Sequence, residues 1–295
     1  MTPAVRRKRR DEIKITVSPF QSFADYKNCE EIQGEVWHCE EIDIVPAAML
    51  VAADHCGGIT LGAYNNLGEM IGFAASILGM ENGELLQHSH MLAVRVAYRN
   101  FNVGFKLKLA QRKEALKRKI PLITWTFDPM QPINAYFNLA KLGARTSVYE
   151  EDFYGESSSM LHRGLPTDRF LARWNLNSPS VVERLDSGPP PRDLRKLLKQ
   201  VTIVNQLEDV APGMARSSPL KLNCAADRLL FEIPYNLPEV KNRNLGVSLE
   251  WQGKMRQVFR NYFKKGYAAT DFWVGEDDGH LRAFYFLEKK KKSAQ

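Results

Sequence analysis

The spacing of apolar residues predicts a regular succession of strands and helices over about the first 176 residues. Short apolar or alternating runs of strand length are separated by longer stretches in which apolar positions recur every three or four residues. The predicted strands lie at 12–20, 59–64, 70–78, 85–94, 122–127, 144–149 and 169–176, and the predicted helices at 23–37, 46–53, 103–118 and 133–142. The predicted order is therefore βααβββαβαββ.

Turn and capping residues support these boundaries. Ser22 can cap the first helix, Pro46 suits the first position of the second, and residues 65–68 (NNLG) join two strands in a hairpin. The helix over 103–118 is predicted to bury one broadly apolar side. Its outward-facing residues are predicted to be Lys106, Lys108, Arg112, Lys113, Lys117 and Arg118.

The chain is predicted to contain two domains, 12–176 and 201–288, joined by a linker at 177–200. The segment 177–192 is rich in proline and serine, and the pattern beyond it is strand, strand, helix, strand, strand. This second part is predicted to be a smaller α+β unit. Residues 260–275 faintly resemble 113–128, which fits either a degenerate second copy of the first half or two ordinary helix–strand units.

Charge does not indicate a nucleic-acid-binding body. The chain carries 41 basic and 34 acidic residues, but five positive charges lie at 6–10 and four at 289–292. Without those nine residues, the acidic residues outnumber the basic ones by two. The segments 1–11 and 289–295 are therefore predicted to be solvated basic tails, and we do not expect a nucleic-acid partner.

The four cysteines and the N-terminal sequence indicate a reduced, cytoplasmic protein. Cys29, Cys39, Cys56 and Cys224 contain no C-x-x-C pair, so we expect reduced and mostly buried thiols and no metal site. No apolar stretch is long enough to span a bilayer, no signal peptide is recognisable, and no membrane partner is expected.

A turn at residues 99–104, RNFNVG, lies between a predicted strand and a predicted helix. The N-terminus of a helix offers backbone N–H donors and the positive end of the helix dipole to an anion. Arg99 can add a charge-assisted hydrogen bond. The turn is therefore a candidate phosphate-binding site.

This turn resembles motif A of the GNAT (GCN5-related N-acetyltransferase) superfamily, Q/R-x-x-G-x-G/A. Arg99 and Gly104 match the pattern, whereas Asn102 replaces the middle glycine. Asparagine is the next residue after glycine to tolerate positive φ, so the turn can be kept. The resemblance implies an α/β (α+β) fold with a GNAT-like mixed, mostly antiparallel sheet flanked by helices.

The same resemblance implies that acyl-CoA is the cofactor. In that fold the strand before the turn parts from its neighbour and binds the pantetheine arm through its main chain, and the turn binds the pyrophosphate. The residues so assigned are Met91, Leu92, Ala93, Val94, Arg99, Asn100, Phe101, Asn102, Val103, Gly104 and Phe105. Asn134, at the start of the next helix, could bond the cofactor arm or simply cap that helix.

Two histidines precede the turn on the same predicted strand. His88 and His90 have i, i+2 spacing, which puts both on one face of a regular strand. Imidazole suits proton removal from an ammonium group. The run HSHMLAV resembles that of the arylalkylamine N-acetyltransferase branch, which implies a proton-relay role for His88 and His90. The alternative is two structural histidines bonded to backbone.

The expected acid that protonates the leaving thiolate is missing. Many family members carry a tyrosine on the next helix where this chain has Leu139, so Tyr136, Tyr149, Tyr154 or solvent would replace it. Asp128 could flank the site or cap a turn at Pro129. Residues 152–170 are a candidate substrate lid.

The sequence therefore predicts an acyl-CoA-dependent N-acyltransferase that acts on a primary amine, expected to be a small molecule such as an amino acid. Stretches over most of the chain resemble a group of bacterial predicted GNAT acetyltransferases, some of which are thought to use succinyl-CoA, so the acyl group is acetyl or succinyl. The alternative is a catalytically degenerate CoA-binding or interaction protein. The second half could shape the acceptor pocket or form a homodimer interface.

Overall fold

The computed structural model of the protein describes residues 13–38, 40–155, 164–211, 214–277 and 280–289. By internal contacts the chain divides into two compact units. Of the described residues, those up to Trp125 form unit 1 and those from Thr126 onward form unit 2. The predicted basic tails, apart from Lys289, and Cys39 lie outside the described residues.

Unit 1 is a sheet of five successive strands with three helices. Neighbouring strands run antiparallel, except that β4 and β5 are parallel. The strands are β1 Thr16–Pro19, β2 Thr60–Tyr64, β3 Met70–Glu81, β4 Glu84–Val94 and β5 Leu122–Phe127, whose last two residues belong to unit 2. The helices are α1 Phe23–Trp37, α2 Ala47–His55 and α3 Val103–Lys117, with short 3₁₀ turns at Glu41–Asp43 and Val96–Tyr98.

The core of unit 1 forms where α1 and α2 cover one part of the sheet. Buried apolar side chains from these helices and from β3 and β4 pack together, which removes them from water. They are Cys29, Ile32, Leu50, Met70, Phe73, Ala75, Met91 and Ala93. Asn82 and Gly83, both with positive φ, close the β3–β4 hairpin and so fix the register of β4.

Unit 2 contains two short strand pairs, a four-stranded sheet and five helices among its described residues. Strands β6 and β7 are antiparallel, β9 and β10 form a hairpin, and the sheet has the order β12-β13-β11-β8. The strands are β6 Tyr149–Glu150, β7 Arg169–Asn175, β8 Thr202–Ile203, β9 Leu207–Ala211, β10 Met214–Ser217, β11 Arg228–Pro234, β12 Tyr267–Asp277 and β13 His280–Lys289. The helices are α4 Pro132–Ala135, continued by a π-helix at Tyr136–Lys141, then α5 Pro179–Ser187, α6 Leu194–Gln200, α7 Leu237–Arg243 and α8 Leu245–Lys264.

The fold class and the element order predicted over residues 12–176 are confirmed. The pattern predicted for 201–288 is incomplete, because it lacks strands β9 and β10 and helix α7. Helix α1 and strand β5 have the predicted bounds, and both units combine helices with mostly antiparallel strands. The predicted strand at 144–149 is wrong in extent: Arg145 and Thr146 form isolated bridges to two different strands, and only Tyr149–Glu150 form β6.

Two helices lie in the segment predicted as a linker. Helix α5 begins with Ser178 as N-cap and a proline at its first position, and Asp193 caps α6 by accepting from Lys196 N. Ser178, Pro179 and Asp193, which lie in the stretch that suggested a linker, therefore mark helix starts, whereas Pro189–Pro191 lie in the loop between the two helices. The division by internal contacts, between Trp125 and Thr126, is not the one inferred from the sequence. The domain boundaries 12–176 and 201–288 stay a prediction.

Two further expectations from the sequence are corrected. Lys108 does not face outward on α3 but is buried, whereas Leu109 is exposed. Of the three cysteines described, all are free thiols, and only Cys29 is buried, because Cys56 is exposed and Cys224 is half-buried.

Asp25 ties the start of α1 to strand β2. Its carboxylate accepts hydrogen bonds from Gln21 N (2.8 Å), Ser22 N (3.0 Å) and the Tyr64 hydroxyl (2.9 Å). Burial alone would raise the pKa of Asp25, but these hydrogen bonds outweigh it and the pKa is lowered. The folded state therefore gains stability above the unfolded pKa of about 3.9, and loses it as pH falls through the lower folded pKa.

We predict that Asp25→Ala lowers the free energy of unfolding at pH 7 by about 1 kcal/mol, because two backbone N–H groups and the Tyr64 hydroxyl lose their charged acceptor. Urea unfolding measures this change. The difference from the unmodified chain is expected to shrink as pH falls below about 3.9. Lys27→Ala on the same helix, where Lys27 is exposed, is the control and should change little. An equal effect of both variants would contradict the capping role.

Candidate active site

Strands β4 and β5 run side by side for only a short distance. Among the described residues their parallel pairing covers Gln87 with Ile123 and His88 with Thr124, although β4 continues to Val94 and β5 to Phe127. The two strands therefore part directly after His88 and Thr124. This parting is what the resemblance to the GNAT fold implies for the strand before the phosphate turn.

Strand β4 carries a bulge at the histidine pair. Met91 lies opposite Ala75 and His88 lies opposite Ile77, so Ser89 and His90 together face the single residue Ser76 of β3. A bulge interrupts the alternation of side chains. The i, i+2 spacing by itself therefore does not fix the relative orientation of the two rings, contrary to the expectation for a regular strand.

The ring of His88 is held by a side chain on β5. Its Nδ1 lies 3.0 Å from the Thr124 hydroxyl, next to the point where the strands part. Burial lowers the pKa of His88, and the positive charges of His90 and Lys108 lower it further. At neutral pH the imidazole is thus uncharged. When Nδ1–H donates to Thr124, Nε2 is left as a proton acceptor.

His90 lies beside His88 but is open to solvent. Surrounding protein atoms partly desolvate its ring and lower its pKa, even though the residue is exposed. A positive charge on His90 contributes to the lowered pKa of His88. The site thus offers one half-buried, oriented imidazole and one exposed imidazole, an arrangement suited to moving a proton from a bound group towards solvent.

Beyond the bulge, β4 has an edge that β5 does not cover. Residues Met91–Val94 pair with Ala75–Gly72 of β3 on one side. On the other side no β5 pairing is present among the described residues. Because backbone N–H and C=O groups alternate in direction along a strand, some of those in Met91–Val94 point into the opening. They can bond an extended ligand, while the side chains of Met91 and Ala93 remain in the core.

The turn after β4 has two left-handed residues. Asn100 has φ 75° and Asn102 has φ 59°, and Asn102 is the N-cap of α3. Asn102 thus adopts the conformation that the family pattern assigns to glycine. The backbone N–H groups of Val103, Gly104 and Phe105 lie at the N-terminus of α3, where an anion is favoured, and Arg99 is exposed nearby in the chain.

Contacts far apart in sequence hold the start of this turn. Arg95 Nε donates to Met70 O (3.1 Å), and its guanidinium pairs with Glu35 of α1. Glu35 also accepts from Val96 N (3.2 Å), and Asn65 Nδ2 donates to the Tyr98 hydroxyl (3.1 Å). The sequence contains no local signal for these partners, because Glu35 and Arg95 are 60 residues apart.

The remaining predicted residues lie in unit 2. Asn134 is exposed inside α4, and Gln131 is the N-cap, so the capping role considered for Asn134 is wrong. Asp128 Oδ1 accepts from Met130 N (2.7 Å), which is the turn-capping role considered for it. The segment 156–163 of the candidate lid lies outside the described residues.

The candidate acids differ in their surroundings. Leu139 is buried, as a core residue would be. Burial raises the pKa of Tyr149 far above its ordinary value, and its hydroxyl donates to Asp168 Oδ2 (2.6 Å), so Tyr149 is a poor proton donor. Tyr136 is exposed. The Tyr154 hydroxyl lies 2.9 Å from Thr126 Oγ1.

The described residues contain no group of three or more His, Cys, Asp or Glu side chains that could hold a metal ion. Nor does that part of the chain contain a helix of the length and apolarity needed to cross a bilayer.

The solved structures similar to this chain include GNAT-family acetyltransferases. One from Desulfovibrio desulfuricans has 13% identity and a TM-score of 0.45, covering 55% of this chain and 99% of that one. One from Elizabethkingia anophelis, with acetyl-CoA bound, has 17% identity and a TM-score of 0.41, covering 56% and 99%. The glucosamine N-acetyltransferase region of a fungal multi-domain β-N-acetylglucosaminidase has 14% identity and a TM-score of 0.33, covering 38% of this chain and 13% of that one.

At these identities the likeness concerns the fold. No family model matches the sequence, and no curated protein matches it.

The backbone of the turn leads to a stability prediction. Asn102→Ala is expected to lower the free energy of unfolding by about 1 kcal/mol, because alanine tolerates positive φ poorly. Asn102→Gly should leave it nearly unchanged, since glycine adopts this conformation readily. Chemical unfolding of the two variants side by side measures the difference. Equal stabilities would contradict a left-handed residue at position 102.

Proposed function

We propose that the chain is an acyl-CoA-dependent N-acyltransferase that transfers an acetyl or succinyl group to a primary amine of a small molecule, such as an amino acid. The observation that carries this proposal is the placement of His88. Its ring is hydrogen-bonded to Thr124 where β4 and β5 part, and the uncovered edge of β4 leads from there to a turn suited to an anion.

The residues present fit acyl-CoA. The backbone of residues 99–105 would hold the pyrophosphate, with Arg99 adding a charged hydrogen bond. The main chain of Met91–Val94 would bond the pantetheine arm along the opening. From His90 to Val94 an extended strand spans about 13 Å, a length that suits such an arm. Asn134 stays a further cofactor-binding prediction in unit 2.

In the proposed mechanism the histidine pair supplies the base. Acyl-CoA, when bound, supplies an activated thioester carbonyl. His88 and His90 take the proton from the acceptor ammonium, directly or through water, and leave its nitrogen lone pair free to attack. Backbone N–H groups near Met91 and Leu92 would polarise the carbonyl oxygen as an oxyanion hole does. Solvent would protonate the departing thiolate.

The second half of the chain supports a related proposal, that residues 201–288 are a degenerate copy of a GNAT-like half. Strands β8 and β11 are parallel and pair at two positions, Thr202 with Leu229 and Ile203 with Leu230, just as β4 and β5 pair at two positions. The long helix α8 and the antiparallel strands β12 and β13 follow. Asn205 then bonds both the N–H and the C=O of Glu232 (2.9 Å each). In unit 2, therefore, the Asn205 amide bonds the backbone of β11 directly after the two parallel pairs, at the position where β4 and β5 part in unit 1.

The histidine pair leads to a kinetic prediction. We expect His88→Ala combined with His90→Ala to lower kcat at pH 7 by about 10²- to 10⁴-fold, because a general base is lost. Binding of acetyl-CoA, succinyl-CoA and CoA, measured as a rise in melting temperature, should be preserved. His55→Ala, at an exposed histidine on α2, is the matched control.

Three outcomes would contradict the proposal in different ways. Unchanged turnover in the double variant would exclude the relay. The absence of a melting shift with any of the three ligands would exclude acyl-CoA binding. A shift without acyl transfer in the unmodified chain, tested across amino acids and other primary amines, would favour the degenerate CoA-binding or interaction protein.

A further inference from the structure

Lys108 is a lysine buried in the interior of unit 1. It lies on α3 and is only 2% exposed. Its Nζ donates to Ser89 Oγ (2.8 Å) and to Gln111 Oε1 (3.1 Å), and lies 3.9 Å from the centroid of the Trp125 ring. Among the described residues no carboxylate forms an ion pair with it. An ammonium group buried in this way is costly, even with hydrogen bonds.

Two of the residues that Lys108 contacts, Ser89 and Trp125, directly follow His88 and Thr124, the last paired residues of β4 and β5. Ser89 follows His88 on β4, and Trp125 follows Thr124 on β5. Along β5, adjacent side chains point to opposite faces of the sheet, so Thr124 and Trp125 lie on different faces. On one face, His88 of β4 bonds Thr124. On the other, the ammonium group of Lys108 connects Ser89 of the β4 bulge to Trp125, where direct strand pairing has ended.

Packing alone does not explain this lysine. Methionine has a similar length and would fill the same space without a polar end. Lysine instead places a desolvated ammonium group there. The Gln111 Oε1 accepts a hydrogen bond from Lys108, but the buried Gln111 Nε2 has no hydrogen-bond partner among the described residues. A costly polar group kept beside a candidate site suggests a functional role.

We propose that Lys108 is a positioning residue for the histidine pair: by binding Ser89 and stacking on Trp125, it holds β4 and β5 where they part and so sets the orientation of His88 and His90. This inference deepens the proposed function and rests on it. Because Ser89 is one of the two residues in the β4 bulge, the contact also fixes the bulge that His90 shares.

The charge of Lys108 reaches the same site. Burial lowers the pKa of Lys108 to about 7, so below neutral pH it is mostly protonated. The titratable group of β4 that this charge affects is His88, while β5 presents Thr124 and Trp125, which do not titrate. The positive charge of Lys108 contributes to the lowered pKa of His88.

The test compares Lys108→Met with Ser89→Ala and with the control Lys113→Met, at an exposed lysine of the same helix. Lys108→Met should lower kcat about tenfold or more, because reacting groups are displaced, and leave the melting shift with acetyl-CoA intact. The pKa of His88, followed by NMR titration, should rise by roughly 0.5 unit once the nearby charge is gone. The melting temperature should not fall, since a buried charge is removed.

Ser89→Ala separates position from charge. It breaks the link between Lys108 and β4 but keeps the ammonium group, so kcat should fall while the pKa of His88 stays low. Lys113→Met should change neither quantity. Ser89→Ala also keeps the inference testable if Lys108→Met does not fold.

The inference is overturned if Lys108→Met folds with unchanged kcat, or if it leaves the NMR titration and resonances of His88 unchanged. It is also overturned if kcat falls only in proportion to a lost melting temperature, as a purely structural role would require. Failure of the proposed function is distinguishable, because the unmodified chain would then transfer no acyl group. In that case the response of His88 in the titration alone decides whether Lys108 positions it.

Discussion

The candidate site depends on one constraint, the end of pairing between two parallel strands. Beyond His88 and Thr124, β4 and β5 no longer share hydrogen bonds among the described residues. That parting leaves an edge of β4 with backbone groups directed into an opening, where buried polar groups need partners. It also places His88 where the opening begins, and the hydrogen bond to Thr124 of β5 orients the His88 ring. The candidate phosphate turn follows within a few residues of the same strand.

Several weak elements act together at this point. The bulge at Ser89 and His90 interrupts the regular pairing of β4, and the turn has two asparagines in the left-handed region. A salt bridge from α1 to Arg95 holds the base of the turn. None of these features adds much stability. What they provide is a fixed arrangement of imidazole, strand edge and helix N-terminus, which chemistry at a thioester would require.

Local signals in the sequence were sufficient for the element order and for the turn. The start of helix α1 was predicted from Ser22, which is its N-cap. Asn102 adopts the left-handed conformation expected of a residue that replaces glycine. The bulge could not be predicted, because it depends on the register between β3 and β4. Lys108 was misplaced, because hydropathy assigns a lysine to the solvent side of a helix, whereas here its partners Ser89 and Trp125 come from strands distant in sequence.

The central claim is that one continuous stretch, from His88 to Phe105, both binds acyl-CoA and carries the base. A crystal structure of the chain with acetyl-CoA tests this most directly. The account predicts pyrophosphate oxygens within hydrogen-bond distance of the backbone N–H groups of residues 102–105, the pantetheine arm along Met91–Val94, and the thioester beside the histidine pair. Acetyl-CoA bound elsewhere, or with its thioester remote from His88 and His90, would contradict it.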